Sequence, residues 1–454
     1  MFRDGEVRTH VTHPDPAAGH IRWDGPVLTT GGTQDSQPLW EGAAAVRTAL
    51  GSTAGTATLT WSWAPRPRLL VTVSTPEPWP LREDAHIPQS LLLGASVTTD
   101  PTLISMSASP GNISRVLTFP EVTVGAPNND VDVVRFALVN FPRYLGQRIG
   151  DAVWHGRLDL TFGQFRVVLD SVSGPDLQAE LEPPHYGYAV TQTGLLMSRS
   201  GGRLTLPEVV KPLRALWYLL SLMRGAYTAP VCWLGERDGE TAWTHYVGWH
   251  LDPWIKGEQG PFPMGFVALD AESVVPALER SLAKIQDLLD DPNWREILLT
   301  ALQWYVSAHT GHATSDIVLA QAGLELLAYA HQVVKGPLSR TGFDRLPAAD
   351  TVALLLSDLG VDLAVPGGLE ALHAISKERS FNGPACVTYY RNATIHPPVK
   401  RPHASESDGY ILIEVRALAI FYLEQALLRT FGYDAMVQHR LYRWGHGPGT
   451  TTGR

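Results

Sequence analysis

Two kinds of apolar spacing divide the chain. Up to about residue 200, short runs alternate apolar and polar positions: TATLTWSWA (56–64), RLLVTVST (68–75), RVLTFPEVTV (115–124), DVVRFALVNF (132–141) and RLDLTFGQFRVVLDSV (157–172). A period of two puts one set of side chains on one face of a strand. Pro, Gly and Asn break the runs apart, as in GAPNND (125–130). Short strands at this spacing predict a β-sandwich or a curled antiparallel sheet. A helix over 205–227, with Pro207 near its start and Gly225 near its end, and a hairpin turning on Arg237-Asp238-Gly239-Glu240 complete this half.

From about residue 271 the apolar residues recur at helical spacing. Helices are predicted over 271–291, 293–311, 315–334, 348–360, 367–379, 384–395 and 408–432, the last with Asp408 as cap and Gly432 as stop. Several helices with short links make a bundle. The fold class is therefore α+β: an antiparallel β-rich domain over 1–270, an all-α bundle over 271–440, and a flexible tail over 441–454.

Composition narrows the picture. A chain of 454 residues exceeds one ordinary core, and 44% hydrophobic residues suffice to fill two or three. The net charge of −9 argues against a chain-wide basic surface, though not against a local one. Two cysteines, Cys232 and Cys386, cannot form a disulfide framework or a zinc ligand set. With no apolar leader and no run near the ~18 residues that a membrane helix needs, a reduced, cytoplasmic setting without a membrane partner is expected.

The stretch PACVTYYRNATIHPPVKRPH (384–403) carries the candidate chemistry. Pro384 suits a helix start, and Pro397 disfavours helix at His396, so the helix should end there. At helical spacing Cys386, Tyr389, Tyr390 and Ala393 form a core-facing stripe. Thr388, Arg391, Asn392 and His396 then share the outward arc, with Ile395 among them. RNA cleavage without a metal needs a base for the 2′-hydroxyl, an acid for the leaving 5′-oxygen and a cation for the charged phosphorane. Histidine serves as base or acid near neutrality, and arginine's fork matches phosphate oxygens. The surroundings are basic: Lys377, Arg379, Lys400 and Arg401 join Arg391 against a single acid, Glu378, between 377 and 403. Arg-x4-His alone has no value, since 30 Arg and 16 His in 454 residues produce about one such pair by chance, and Arg8–His13 is a second instance. Asn392 is what makes the pattern specific.

YYRNATIHP resembles the signature of the HEPN superfamily, helical bundles with an Arg-x4–6-His motif that often has Asn after the Arg. LAQAGLELLAYAHQ (319–332) is similar to the family's second helix, an apolar run carrying an acid, here Glu325. A β-rich half followed by such a bundle resembles the ApeA type of HEPN protein, linked to abortive infection of phage-infected bacteria. The resemblance implies a metal-independent endoribonuclease with no cofactor. Two bundles would pair into a homodimer with one composite cleft, and the products would carry 2′,3′-cyclic phosphate and 5′-hydroxyl ends. Arg391 would bind phosphate, His396 act as acid and base, and Asn392 position them. Glu325 and Thr388 would support the site, and Lys377, Arg379, Lys400 and Arg401 would bind RNA. The β-rich half would sense an unknown trigger or restrain the nuclease.

The competing expectation is a bundle that dimerises or binds RNA or nucleotide without cutting, with the β-rich half recognising a protein or sugar. His309, His312 and Asp316 suggest a metal site, but Gly311 should end the helix between the histidines, so this is read as a solvated inter-helix turn. The Trp-rich strands are read as core rather than a carbohydrate platform. His439 and His446 are read as solvated.

Overall fold

The structure is a computed structural model. It describes residues 36–48, 51–63, 67–75, 90–93, 96–99, 102–109, 112–142, 144, 146–149, 152–172, 187–254, 260–261, 273–309, 311–395, 406–435, 437 and 440–441. A β-rich part comes first and a helical part second, so the chain is α+β in the expected order. By internal contacts residues 1–213 and 228–256 form one unit, and residues 214–227 and 257–454 the other. The expected boundary at 270 falls outside the described residues.

The first unit holds two antiparallel seven-stranded sheets. The first sheet contains β1 (Ser36–Thr48), β2 (Gly51–Ser62), β3 (Arg68–Thr75), β4 (Ser90–Leu93), β5 (Ser96–Thr99), β6 (Thr102–Ser109) and β7 (Asn112–Phe119), ordered β5-β4-β1-β2-β3-β7-β6. β3 alternates half-buried and buried residues along its whole length, as its sequence predicts. Its Leu69 and Val71 pair across to Trp61 and Leu59 of β2 and to Phe119 and Leu117 of β7, all on the buried face. Burying such side chains stabilises the sheet by about 1.5–3 kcal/mol each. Trp61 and Trp63 are buried as well, so they are core and not a platform.

The second sheet contains β8 (Glu121–Gly125), β9 (Val133–Val139), β12 (Arg157–Phe162), β13 (Phe165–Ser171), β14 (Val190–Ser198), β15 (Pro230–Arg237) and β16 (Glu240–Val247), ordered β12-β13-β14-β9-β15-β16-β8. β10 (Gly146–Ile149) and β11 (Ala152–His155) pair separately. The β15–β16 turn has φ of 52° at Asp238 and 86° at Gly239, the left-handed pair that a tight Asp-Gly hairpin requires. Arg157 and Asp170 face each other on β12 and β13 in a fork of two hydrogen bonds, 2.7 and 2.6 Å, with both side chains buried. His245 of β16 is buried against Trp233 and shares a 2.8 Å hydrogen bond between Nδ1 and Thr123 Oγ1, while its Nε2 has no hydrogen-bond partner. Burial lowers its pKa to about 4.

Helix α1 (Leu206–Arg224) starts on a capping box, with the backbone N–H and hydroxyl of Thr205 both donating to Glu208, and stops at Gly225 with φ of 76°. Its second half groups with the helical unit. There follow α2 (Val274–Asp290), α3 (Pro292–Ser307), α4 (Ala313–Tyr329, continued by a π-helical turn, Ala330–Val334), α5 (Arg340–Phe343), α6 (Ala348–Asp358), α7 (Glu370–Arg379), α8 (Gly383–Ile395) and α9 (Glu406–Thr430). α9 begins two residues before Asp408, the expected cap. α7 has no cap from its own Leu369; instead the Glu414 carboxylate of α9 accepts the N–H groups of Ala371 (3.5 Å) and Leu372 (2.7 Å). α4 is the spine of the unit, packed against α3, α6, α8 and α9. Among the described residues, Ala313–Val334 is the one helix long and apolar enough to cross a membrane, with mean hydropathy 1.3; half of it is buried inside the protein.

Candidate functional site

The candidate site lies where α8 crosses α4. α8 is capped by Asn382, whose Oδ1 accepts from the N–H of Ala385 at 2.9 Å. It is described as far as Ile395, and the expected end at His396 lies outside the described residues. Which of its faces is buried differs from the expectation. Pro384, Cys386, Val387 and Thr388 are buried, whereas Tyr389, Tyr390 and Ala393 are half-exposed. The reason is that α4, α6, α7 and α9 all pack on this helix, so most of its first two turns is enclosed. The tyrosines instead form a half-exposed aromatic cluster with Phe381, tilted at Phe381–Tyr389 and edge-on at Tyr389–Tyr390, and Arg379 sits 4.6 Å over the Tyr389 ring. Tyrosine carries a polar tip and tolerates that position.

Arg391 therefore continues the face that meets α4. Residues 384, 387, 388 and 391 follow the i, i+3, i+4, i+7 spacing. The Arg391 side chain is about three-quarters buried, and its three nitrogens have distinct surroundings. Nη1 donates to Asn392 Oδ1 at 3.0 Å. Nη2 lies 3.8 Å from Glu325 Oε1, an ion pair too long to be a hydrogen bond. Nε is buried and has no partner. A buried donor left unpaired costs about 1–3 kcal/mol, and a partly exposed ion pair returns only about 0–1 kcal/mol. The guanidinium is thus held in place with donor capacity left at Nη2, the nitrogen through which an anion could be bound.

One residue of this cluster was not legible as a candidate. Gln321, on α4 one turn before Glu325, is fully buried. Its Nε2 donates to Glu325 Oε1 at 3.0 Å and to Thr388 Oγ1 at 3.2 Å, tying α4 to α8, while its Oε1 has no partner. Its only sequence signal is the i, i+4 spacing to Glu325.

The other expected site residues separate. Lys377 and Arg379 are exposed in the last turn of α7. Arg379 rests on Tyr389, which lies about 200° around α8 from Arg391, so this cation is not beside the guanidinium. His396, Lys400 and Arg401 lie outside the described residues, as do Arg8, His13, His439, His446 and the tail over 442–454.

The inter-helix turn over 308–316 is solvated in its middle, where Gly311, His312, Thr314 and Ser315 are exposed, but not at its ends, where His309 and Asp316 are enclosed. His309 is hydrogen-bonded at both ring nitrogens: Nδ1 to the Tyr305 carbonyl and Nε2 to Arg440 Nη2, each at 2.8 Å. A guanidinium only donates, so Nε2 accepts and Nδ1 carries the proton. Burial and then the Arg440 charge hold the His309 pKa well below its ordinary value. Arg440 also donates to the buried Glu424, which accepts from the Tyr305 hydroxyl, and Asp316 is taken by Arg416 at 2.6 Å. No three His, Cys, Asp or Glu side chains converge as a metal set among the described residues.

Fold and site together define an α+β protein whose helical half carries a polar Gln-Glu-Thr-Arg-Asn cluster between two packed helices. Residues 126–257 match the YopA central domain and residues 291–448 match the YopA C-terminal domain. The first match spans most of the second sheet, and the second contains the whole cluster. The chain is also similar to the SPbeta prophage-derived uncharacterized protein YopA of Bacillus subtilis (strain 168), with 27% identity over 319 residues, 68% of this chain and 69% of that protein. No solved structure matches the chain.

Proposed function

We propose that this protein is a metal-independent endoribonuclease of the HEPN type, acting in the cytoplasm as a homodimer in phage defence. The observation that carries the reading is Arg391. Its guanidinium is oriented by Asn392 and Glu325 yet keeps Nη2 without a hydrogen bond among the described residues. A phosphorane would accept from Nη2, and His396, the next residue in sequence after Ile395, would move the protons of the 2′-hydroxyl and the leaving 5′-oxygen. The products would be a 2′,3′-cyclic phosphate and a 5′-hydroxyl. Support for pairing of two copies comes from Ile395, Tyr410 and Ile413, exposed at 40%, 53% and 48% on the two helices that flank His396. The prophage origin named for the Bacillus relative is compatible with a role in phage biology.

The second reading, an RNA-binding or dimerising bundle that does not cut, is favoured by Glu325, which offsets the charge of Arg391. Incubation of the purified protein with a broad RNA panel in EDTA, with and without extract of phage-infected cells, separates the two. The nuclease reading expects cleavage that is lost in His396→Ala and in Arg391→Ala. Intact RNA under every condition refutes it; binding that survives His396→Ala without turnover establishes the second.

A further inference from the structure

Resting on that reading, we propose that Glu325 is a built-in competitor of the RNA phosphate at Arg391, and that Gln321 is the positioning residue that holds it back. A guanidinium grips phosphate or carboxylate best through two N–H groups on one edge. Asn392 occupies Nη1 and Nε is buried, so the donor that remains is Nη2. Among the described residues the Glu325 carboxylate, at 3.8 Å, is what faces Nη2. That carboxylate could close to hydrogen-bonding distance on Nη2, but it stands off.

The cause of the stand-off lies on the other side of Glu325. Its Oε1, the same oxygen that faces Arg391, accepts a 3.0 Å hydrogen bond from Gln321 Nε2. Gln321 is fully buried and cannot follow Glu325 outward, and its second hydrogen bond, to Thr388 Oγ1, fixes it to α8. The amide orientation is set by charge, because the reverse would turn Oε1 against the carboxylate. The tethered acid keeps the guanidinium oriented and weakly compensated while leaving Nη2 to a phosphodiester. Releasing the tether lets the carboxylate close on Nη2. Removing the negative charge opens it fully.

The test is RNA affinity of the full-length protein, read by fluorescence anisotropy with a single-stranded oligoribonucleotide whose 2′-O-methyl groups block cleavage. Glu325→Gln should tighten binding by roughly two- to fivefold, the range of a partly exposed ion pair. Gln321→Met should weaken it, and the double variant should return to the affinity of Glu325→Gln, a rescue that a merely structural role for Gln321 would not produce. Arg391→Ala should lose the binding in every background. If binding depends on Arg391 but Glu325→Gln leaves it unchanged or weaker, the competitor role is overturned and the nuclease reading stands. If the protein cleaves RNA but Gln321→Met is not rescued by Glu325→Gln, the tether is overturned. If the wild-type protein neither binds nor cleaves, both the inference and the reading fall.

Discussion

Lowering the pH from 6.5 to 4 should loosen the second sheet through one side chain, His245. The ring is buried, touches Trp233 at 4.8 Å between centroids, and uses Nδ1 on Thr123. Its Nε2 has no hydrogen-bond partner; the nearest acid, Glu121, is 3.7 Å away and mostly exposed. Burial lowers the folded-state pKa from the ordinary 6.5 to about 4. The direction follows from where protons bind. Below about 6.5 the unfolded segment takes up a proton and the folded one does not, so stability falls with pH until the folded ring also protonates near 4. Each unit of difference is about 1.36 kcal/mol, so the 2.5-unit gap amounts to about 3 kcal/mol, with no change above pH 6.5. Hydrogen exchange of the β15–β16 hairpin, corrected for intrinsic rates, measures the opening free energy at each pH. The difference between wild type and the non-titrating His245→Asn should shrink steadily from pH 6.5 to 4. Parallel curves across that window, or a His245 resonance titrating near 6.5, would refute the burial argument.

Two further outcomes follow from packing. Asp170→Asn strands the buried Arg157 charge and should cost about 3–5 kcal/mol, read as a lower denaturation midpoint, whereas the pair Arg157→Met with Asp170→Leu should recover most of it; equal midpoints for wild type and Asp170→Asn would show the pair to be dispensable. Gly383→Ala drives a methyl into the Tyr422 hydroxyl at the start of α8, so it should cost about 1–3 kcal/mol and displace Arg391, seen as weaker RNA binding alongside a lower midpoint.

The strands of the sheets were legible where alternation is clean, as in β3, and the β15–β16 hairpin was legible from Asp-Gly. RVLTFPEVTV, one alternating run in the sequence, is two strands: Pro120 breaks it, and β7 and β8 belong to different sheets. Proline lacks the N–H that a continuing ladder needs. β14 escaped notice because Thr191, Gln192 and Thr193 interrupt its apolar run, yet all three are buried. The Gln192 amide is satisfied by the carbonyls of Phe141 and Pro142, partners fifty positions away that no local pattern reveals. At the candidate site, Arg391 and Asn392 were singled out by the motif and Glu325 by the resemblance, and the structure brings the three side chains together. The buried face of α8 was not, because neighbouring helices decide it, and periodicity alone counted two surface tyrosines as core.

The capping of α7 by Glu414 has a consequence for the order of assembly. α7 is ten residues long, too short to persist by itself in water. Its N-terminal amides are satisfied by a carboxylate more than forty residues downstream. While the chain is being synthesised, α7 emerges long before its cap does. It can be fixed only after α9 has left the ribosome and docked, so the helix is among the last parts of the bundle to be set in place.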